Sequence, residues 1–180
     1  MSELAKIALG LGGAIALLGA WLAAAPEQAT AWIRRFPRNR WAGGILATVD
    51  LLWSAGLLYN APLESFDNLK PLLYILTPVS IFLVIQFMDD LLAARAFGGL
   101  LVLIPAPLLE AARWNPSPWR LVVTLTAYAL AIKGIALILS PYLLRRAADL
   151  CLRTERTCRW CGFVGLSLGV ALAVLAFAVY

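Results

Sequence analysis

The sequence predicts an all-helical integral membrane protein, a polytopic transmembrane helical bundle of about six spans. Hydrophobic residues make up 62% of the 180 residues and charged residues only 14%, and the mean hydropathy is +0.84. This composition leaves too little polar surface for a soluble domain of this size. Because a helix needs roughly 20 apolar residues to cross a bilayer, the chain has room for about five or six spans. We therefore expect a single integral membrane helical domain over residues 1–180.

Six apolar runs predict the spans. They extend from Leu4 to Ala25, Trp41 to Tyr59, Pro71 to Met88, Phe97 to Ala112, Trp119 to Leu144 and Gly162 to Tyr180. The fourth run is the shortest, and without it the count falls to five. Pro105 and Pro107 remove two backbone donors from this run, so we expect a broken or kinked helix there. Broken helices line cavities in many transporters, whereas a simple kink near the outer end of a span does not, and both interpretations stay open.

Basic residues predict the orientation of the chain, because short loops rich in Lys and Arg are retained on the cytoplasmic side. The connection after the first run contains Arg34, Arg35, Arg38 and Arg40, and the connection before the sixth contains Arg145, Arg146, Arg153, Arg156 and Arg159. With six spans, both termini then face away from the cytoplasm, in what we expect to be a bacterial cytoplasmic membrane. Pro37 predicts a turn in the first connection rather than a basic helix. We expect these arginines to contact anionic lipid headgroups and not nucleic acid.

Two opposite charges, Asp50 and Lys133, fall near the middle of the second and fifth runs. A charge at the bilayer centre costs at least about 2.5 to 3.5 kcal/mol, so each needs a partner. Ser54 shares a helix face with Asp50, and Thr126 and Ser140 lie seven residues on either side of Lys133. If the two faces meet, we expect a buried Asp50–Lys133 ion pair. It would lock the two helices together, which we favour, or take part in a proton or ion relay.

Small residues recur at helical spacing in the first and last runs. Gly165 and Gly169 form a GxxxG pattern, and Gly12, Ala16 and Ala20 form a similar stripe. Helix backbones approach closely along such stripes in membranes. The partner is either another helix of the same chain or a neighbouring subunit, so we expect self-association or a larger assembly.

Cys158 and Cys161 form a CxxC motif, and Cys151 is the third cysteine of a chain that has no histidine. A structural zinc site usually takes four cysteine or histidine ligands, so we predict no metal. The thiols fall on the predicted cytoplasmic side, where stable disulfides are rare, and we expect them to be inert. A thiol-based membrane oxidoreductase is the remaining enzymatic hypothesis. Histidine-ligated haem and Ser-His-Asp hydrolysis are excluded, and no cofactor is expected.

These observations leave two functional hypotheses. The favoured one is a multi-pass protein without catalytic chemistry of its own, an accessory or structural subunit that packs into a larger membrane complex. The alternative is a small ion or solute channel or transporter that uses Asp50, Lys133 and the broken fourth helix. The first is favoured because the two charges would cancel each other, and because no ladder of acidic residues crosses the membrane.

Overall fold

The computed structural model describes residues 3–62, 70–88, 91–114 and 119–178. In these ranges all regular structure is helical, which confirms the all-helical part of the predicted fold class. The α-helices are α1 (Glu3–Ala24), α2 (Pro26–Arg35), α3 (Arg40–Asn60), α4 (Leu73–Phe87), α5 (Leu92–Leu103), α6 (Pro105–Arg113), α7 (Arg120–Leu139), α8 (Tyr142–Cys151) and α9 (Glu155–Ala178). A single 3₁₀ turn at Phe36–Arg38 joins α2 to α3.

Six helical segments of the described chain are long and apolar enough to cross a membrane. They are Ala5–Ala24, Arg40–Asn60, Lys70–Phe87, Leu92–Arg113, Arg120–Leu139 and Glu155–Phe177. The count agrees with six apolar runs rather than five. Each long segment coincides with one run, and the differences lie at the ends.

The fourth segment is longer than its apolar run predicts. It covers 22 residues and begins at Leu92, because Arg95 is incorporated into α5 instead of lying in the preceding loop. The helix is interrupted at Ile104, directly before the prolines, but Ile104 keeps helical angles (φ −54°, ψ −41°). The chain therefore continues from α5 into α6 without reversing. The prolines break the hydrogen-bond ladder, as expected from their missing N–H groups.

The two basic connections contain short amphipathic helices that the sequence analysis missed. The first connection forms α2, and its prediction as a turn was wrong up to Arg35, because the helix ends only before the 3₁₀ turn that holds Pro37. In the last connection, α7 ends at Leu139 and Pro141 precedes a separate helix, α8. The fifth long segment is thus shorter than its predicted run to Leu144.

The first and last helices, α1 and α9, form the most extensive helix pair in the described chain. A Cβ atom built on Gly12 would lie 2.8 Å from the carbonyl oxygen of Gly169 and 3.0 Å from the amide nitrogen of Ala173. Farther along, a Cβ on Gly162 would lie 2.6 Å from the amide nitrogen of Ala23. Residue numbers rise along α1 as they fall along α9, so the two helices are antiparallel. The small-residue stripes therefore find their partner within the chain.

The helix α5 lies between α3 and α7 and packs against both. A Cβ on Gly43 of α3 would lie 2.8 Å from the amide nitrogen of Ala93. On the opposite side, a Cβ on Gly98 would lie 2.9 Å from the carbonyl oxygen of Gly134, and one on Gly134 would lie 2.7 Å from that of Gly98. Glycines thus set both contacts of the central helix.

An apolar cluster fills the space where α1, α6, α7 and α9 meet. Its members are Ala8, Leu108, Ala112, Val123, Ala127 and Ala176. Leu108 and Val123 are its largest fully buried side chains. Ile104, at the helix break, packs against the same cluster. Apolar side chains therefore surround the interruption, which favours the interpretation of a simple kink over a cavity.

We predict that a methyl group at Gly12 destabilises the α1–α9 pair, because it would meet backbone atoms that cannot move aside. Gly12→Ala should lower the free energy of unfolding by about 1 to 3 kcal/mol. Gly13→Ala is the matched control, since a Cβ at Gly13 has nothing within 4 Å. Alanine favours a helix over glycine by up to about 1 kcal/mol, so the control should be neutral or stabilising. Unfolding in detergent measures both variants, and equal stability of the two would contradict the packing.

Candidate functional site

Asp50 lies in the contact between α3 and α5. It shares a helix face with Gly43 and Ala47, and this whole face is directed at α5. Opposite Asp50 stands Gly99: a Cβ atom built on it would lie 2.6 Å from Oδ2 of Asp50 and 3.3 Å from Cγ. The Asp50 carboxylate therefore occupies space that any other residue at position 99 would fill with its own side chain.

Two buried side-chain atoms, one on α3 and one on α5, have no hydrogen-bond partner among the described residues. They are Oδ1 of Asp50 and Nε of Arg95. Arg95 and Gly99 are four residues apart on α5, so both lie on one face of that helix. Because α3 and α5 run in parallel, Arg95 lies about one turn before the level of Asp50. Within the described ranges no ion pair joins the two side chains.

Leaving a buried polar atom unpartnered is energetically costly, at about 1 to 3 kcal/mol and more for a charged group. In the described chain, the two packed helices α3 and α5 thus carry an acid and a base, each with one buried atom that lacks a partner. Chemically, the Asp50 carboxylate can accept a proton or bind a cation. We call Asp50, Arg95 and Gly99 the α3–α5 polar seam.

Lys133 is exposed and belongs to no part of this seam. It precedes Gly134, whose backbone packs against α5, and successive residues of a helix point about 100° apart. With α5 between α3 and α7, Asp50 and Lys133 cannot meet. The expected Asp50–Lys133 ion pair is therefore absent from the described structure.

The hydroxyl groups predicted to accompany the pair are satisfied locally. Ser54 donates to the carbonyl oxygen of Leu51 at 3.0 Å, and Thr126 donates to that of Val122 at 2.8 Å. Ser140 follows the last residue of α7 instead of lying within a long span. None of the three is hydrogen-bonded to a charged side chain in the described residues.

Arg95 is the member of the seam that the sequence analysis missed. It precedes the predicted fourth run, which begins only at Phe97 because the charge of Arg95 ends the apolar pattern. A signal was available, since the residues around it, Leu92 to Ala96, are strong helix formers without glycine or proline. That pattern predicts a helix that begins before Phe97.

The basic residues of the two connections lie on α2, α8 and the adjoining turns. Arg34 donates through Nη2 to the carbonyl oxygen of Leu152 at 3.4 Å and so links α2 to the segment before α9. Arg35 is in the last turn of α2, and Arg40 is the first residue of α3. Arg145 and Arg146 are exposed on α8.

The three cysteines have different surroundings. Cys158 is buried where α9 meets α1 and α2: its thiol donates to the carbonyl oxygen of Leu22 at 3.8 Å and accepts from the Thr30 hydroxyl at 4.0 Å. Cys151 is exposed at the end of α8, and Cys161 is partly exposed. All three are free thiols, and in the described ranges no group of three or more side chains is arranged to hold a metal ion. The environment of Cys158 is that of a packing residue.

Comparisons with protein-family models, with curated proteins and with solved structures give no match for this chain. Its function is therefore inferred from its own residues.

The close fit of Asp50 against Gly99 predicts a coupling between the two positions. Gly99→Ala should push the carboxylate out of the seam and lower the free energy of unfolding by about 1 to 3 kcal/mol. In the Asp50→Ala background the same change should be harmless or slightly stabilising, because the obstructing carboxylate is gone. A double-mutant cycle on thermal unfolding in detergent measures the coupling.

Gly98→Ala serves as the control for this cycle. Its Cβ would meet the backbone of Gly134 and not Asp50, so its cost should be the same in both backgrounds. If Gly99→Ala also cost the same in both backgrounds, the described position of Asp50 would be wrong.

Proposed function

We propose that the protein is a multi-pass membrane protein without catalytic chemistry of its own, an accessory or structural subunit that packs into a larger membrane complex. The observation that carries the proposal is the exposure of α4. None of the residues Leu73–Phe87 is buried, whereas each of the other five long apolar segments has buried residues. Its principal packing partner in the described chain is α3.

The side chains of α4 explain why this surface suits another membrane protein. The helix is apolar on all sides, and its large side chains are widely exposed, with Tyr74 71%, Phe82 65% and Phe87 76% accessible. A helix held along one side only contributes little to the stability of its own bundle. Its remaining surface is available to a neighbouring subunit in the plane of the membrane, where aromatic side chains offer large contact areas.

The α3–α5 polar seam is consistent with the same proposal. Asp50 faces the backbone of Gly99, so the carboxylate fills a gap between two packed helices. A side chain that fits against a position without a Cβ atom sets the spacing and register of the two helices at that point. This supports a packing role for Asp50.

Site-specific cross-linking tests the proposed docking of α4. A photoreactive amino acid at Phe82 should capture a discrete protein partner in the membranes of the native cell. Leu125 on α7 is the matched control, because it is equally exposed, at 69%, but lies on a helix that packs within the bundle. We expect lipid adducts alone from Leu125. Lipid adducts alone from both positions would exclude a stable partner at α4.

A second candidate function is a small ion or solute channel or transporter. It is favoured by one observation, the unpartnered buried atoms of Asp50 and Arg95. A carboxylate without a partner among apolar helices can bind a proton or a cation, and it can release that ion again during transport. The seam replaces the Asp50–Lys133 pair as the basis of this candidate.

Flux measurements in liposomes test this second candidate. Under it, Asp50→Asn should abolish proton or cation flux, because the amide cannot carry the charge. Lys133→Met, at a position exposed outside the seam, should leave the flux unchanged. Wild-type liposomes as tight as protein-free ones would exclude the candidate.

A further inference from the structure

A cleft of about 220 Å³ lies between the two amphipathic connections at one end of the helix bundle. Arg34 and Arg38 line it from the side of α2 and the 3₁₀ turn, and Arg145 and Asp149 line it from α8. Pro37 and Ala148 complete its apolar wall. We call this the arginine cleft.

The packing of α1 against α9 explains why the two connections meet. The end of α1 lies next to the start of α9, as the contact of Ala23 with Gly162 shows. Since α2 follows α1 directly and α8 directly precedes α9, both short helices lie at that end of the bundle and contact each other. Each joins two long apolar segments, so both lie at the level of the membrane surface if those segments cross the bilayer.

Aromatic contacts hold α2 in this position. Trp32 of α2 packs edge-on against Trp21 of α1, with ring centroids 5.8 Å apart, and stacks on Phe36 at 5.5 Å. Phe36 in turn packs edge-on against Phe97 of α5 at 6.1 Å. The 3₁₀ turn that carries Arg38 is thereby tied to the central helix. These contacts therefore hold the side of the cleft that carries Arg34 and Arg38.

The charges of the cleft do not balance. Three guanidinium groups face a single carboxylate, Asp149, and among the residues that the structure describes no ion pair joins Asp149 to Arg38 or Arg145. Arg34 gives one of its five N–H donors to Leu152, which fixes the side chain and leaves the others available. Among the described lining residues, positive charges thus outnumber negative ones by two.

Guanidinium groups bind phosphate oxygens in a bidentate geometry. The volume is below the 300 to 1,000 Å³ that is typical of pockets for drug-sized ligands, so a phosphate with a small substituent fits better than a nucleotide. We propose that the arginine cleft is a binding site for a phosphate group, supplied by the headgroup of an anionic phospholipid. This inference rests on the membrane insertion that the proposed function assumes, but not on a protein partner at α4.

The test uses the full chain in a mild detergent, with phosphatidylglycerol as the lipid probe and phosphatidylcholine as its neutral counterpart. Native mass spectrometry measures the fraction of protein that retains each lipid. The double variant Arg38→Gln/Arg145→Gln should weaken phosphatidylglycerol retention by about tenfold or more, while leaving Arg34 bonded to Leu152. The matched control is Arg35→Gln/Arg146→Gln, which removes the same charge from neighbouring positions outside the cleft and should keep retention within about twofold.

Each outcome bears on the proposal. An equal loss in both double variants would overturn it in favour of diffuse attraction to the basic surface, and retention unchanged in the cleft variant would overturn it outright. Inorganic phosphate, titrated against lipid-free protein, separates the two sources of the ligand: binding with the same dependence on Arg38 and Arg145 would retain the phosphate site but assign it a soluble ligand.

Loss of folding is monitored by thermal unfolding of both variants, and Arg38→Gln alone provides a milder change. Retention by this single variant should fall between wild type and the double variant, and an unchanged value in a well-folded sample would contradict a role for Arg38. If the protein retains phosphatidylglycerol but gives no cross-link at Phe82, the accessory role is disproved and the phosphate site is retained. Recovery of the chain in the soluble fraction would disprove both.

Discussion

Close backbone contact at glycine residues is the interaction on which the rest of the fold depends. In lipid there is no hydrophobic driving force to hold apolar helices together, so association relies on van der Waals contact at short range. Two seams supply it here: Gly12 and Gly169 join the first and last helices, and Gly98 and Gly134 join the central helix to α7. A side chain at any of these positions would meet backbone atoms, which cannot rotate away. The positions of these glycines therefore determine which helices can pack closely together.

The position of the charged residues follows from those seams. Gly98 lies on the side of α5 that packs against α7. The next residue, Gly99, lies on the side that faces α3, and its missing side chain leaves space for a carboxylate. Asp50 fills the gap, and Arg95 lies one turn away on the same side of α5. An acid and a base thus lie between helices that are held by other contacts. The fit of the Asp50 side chain against Gly99 limits how closely α3 and α5 can pack at this level.

The sequence was sufficient for the all-helical character and for the location of all six long segments, because length and apolarity alone define them. The glycine stripes could be identified in the sequence, but the sequence did not show that the two stripes pack against each other. The position of Asp50 opposite Gly99 could not be predicted, because it depends on which face of α5 packs against α7. Arg95 was left outside the predicted span because its charge ends the apolar run, whereas the helix α5 begins before it, at Leu92. The helices α2 and α8 were missed because each has only 10 residues and adjoins a proline.

The pairing of α1 with α9 also determines the order in which the bundle can assemble. About 130 residues separate the end of α1 from the start of α9. At synthesis rates of about 5 to 20 residues per second, α1 leaves the ribosome on the order of ten seconds before its partner exists. During that interval its glycine stripe is exposed to the bilayer, to the insertion machinery and to other nascent chains. The contact between α1 and α9 thus forms late, because α9 is the last helix of the described chain to be synthesised.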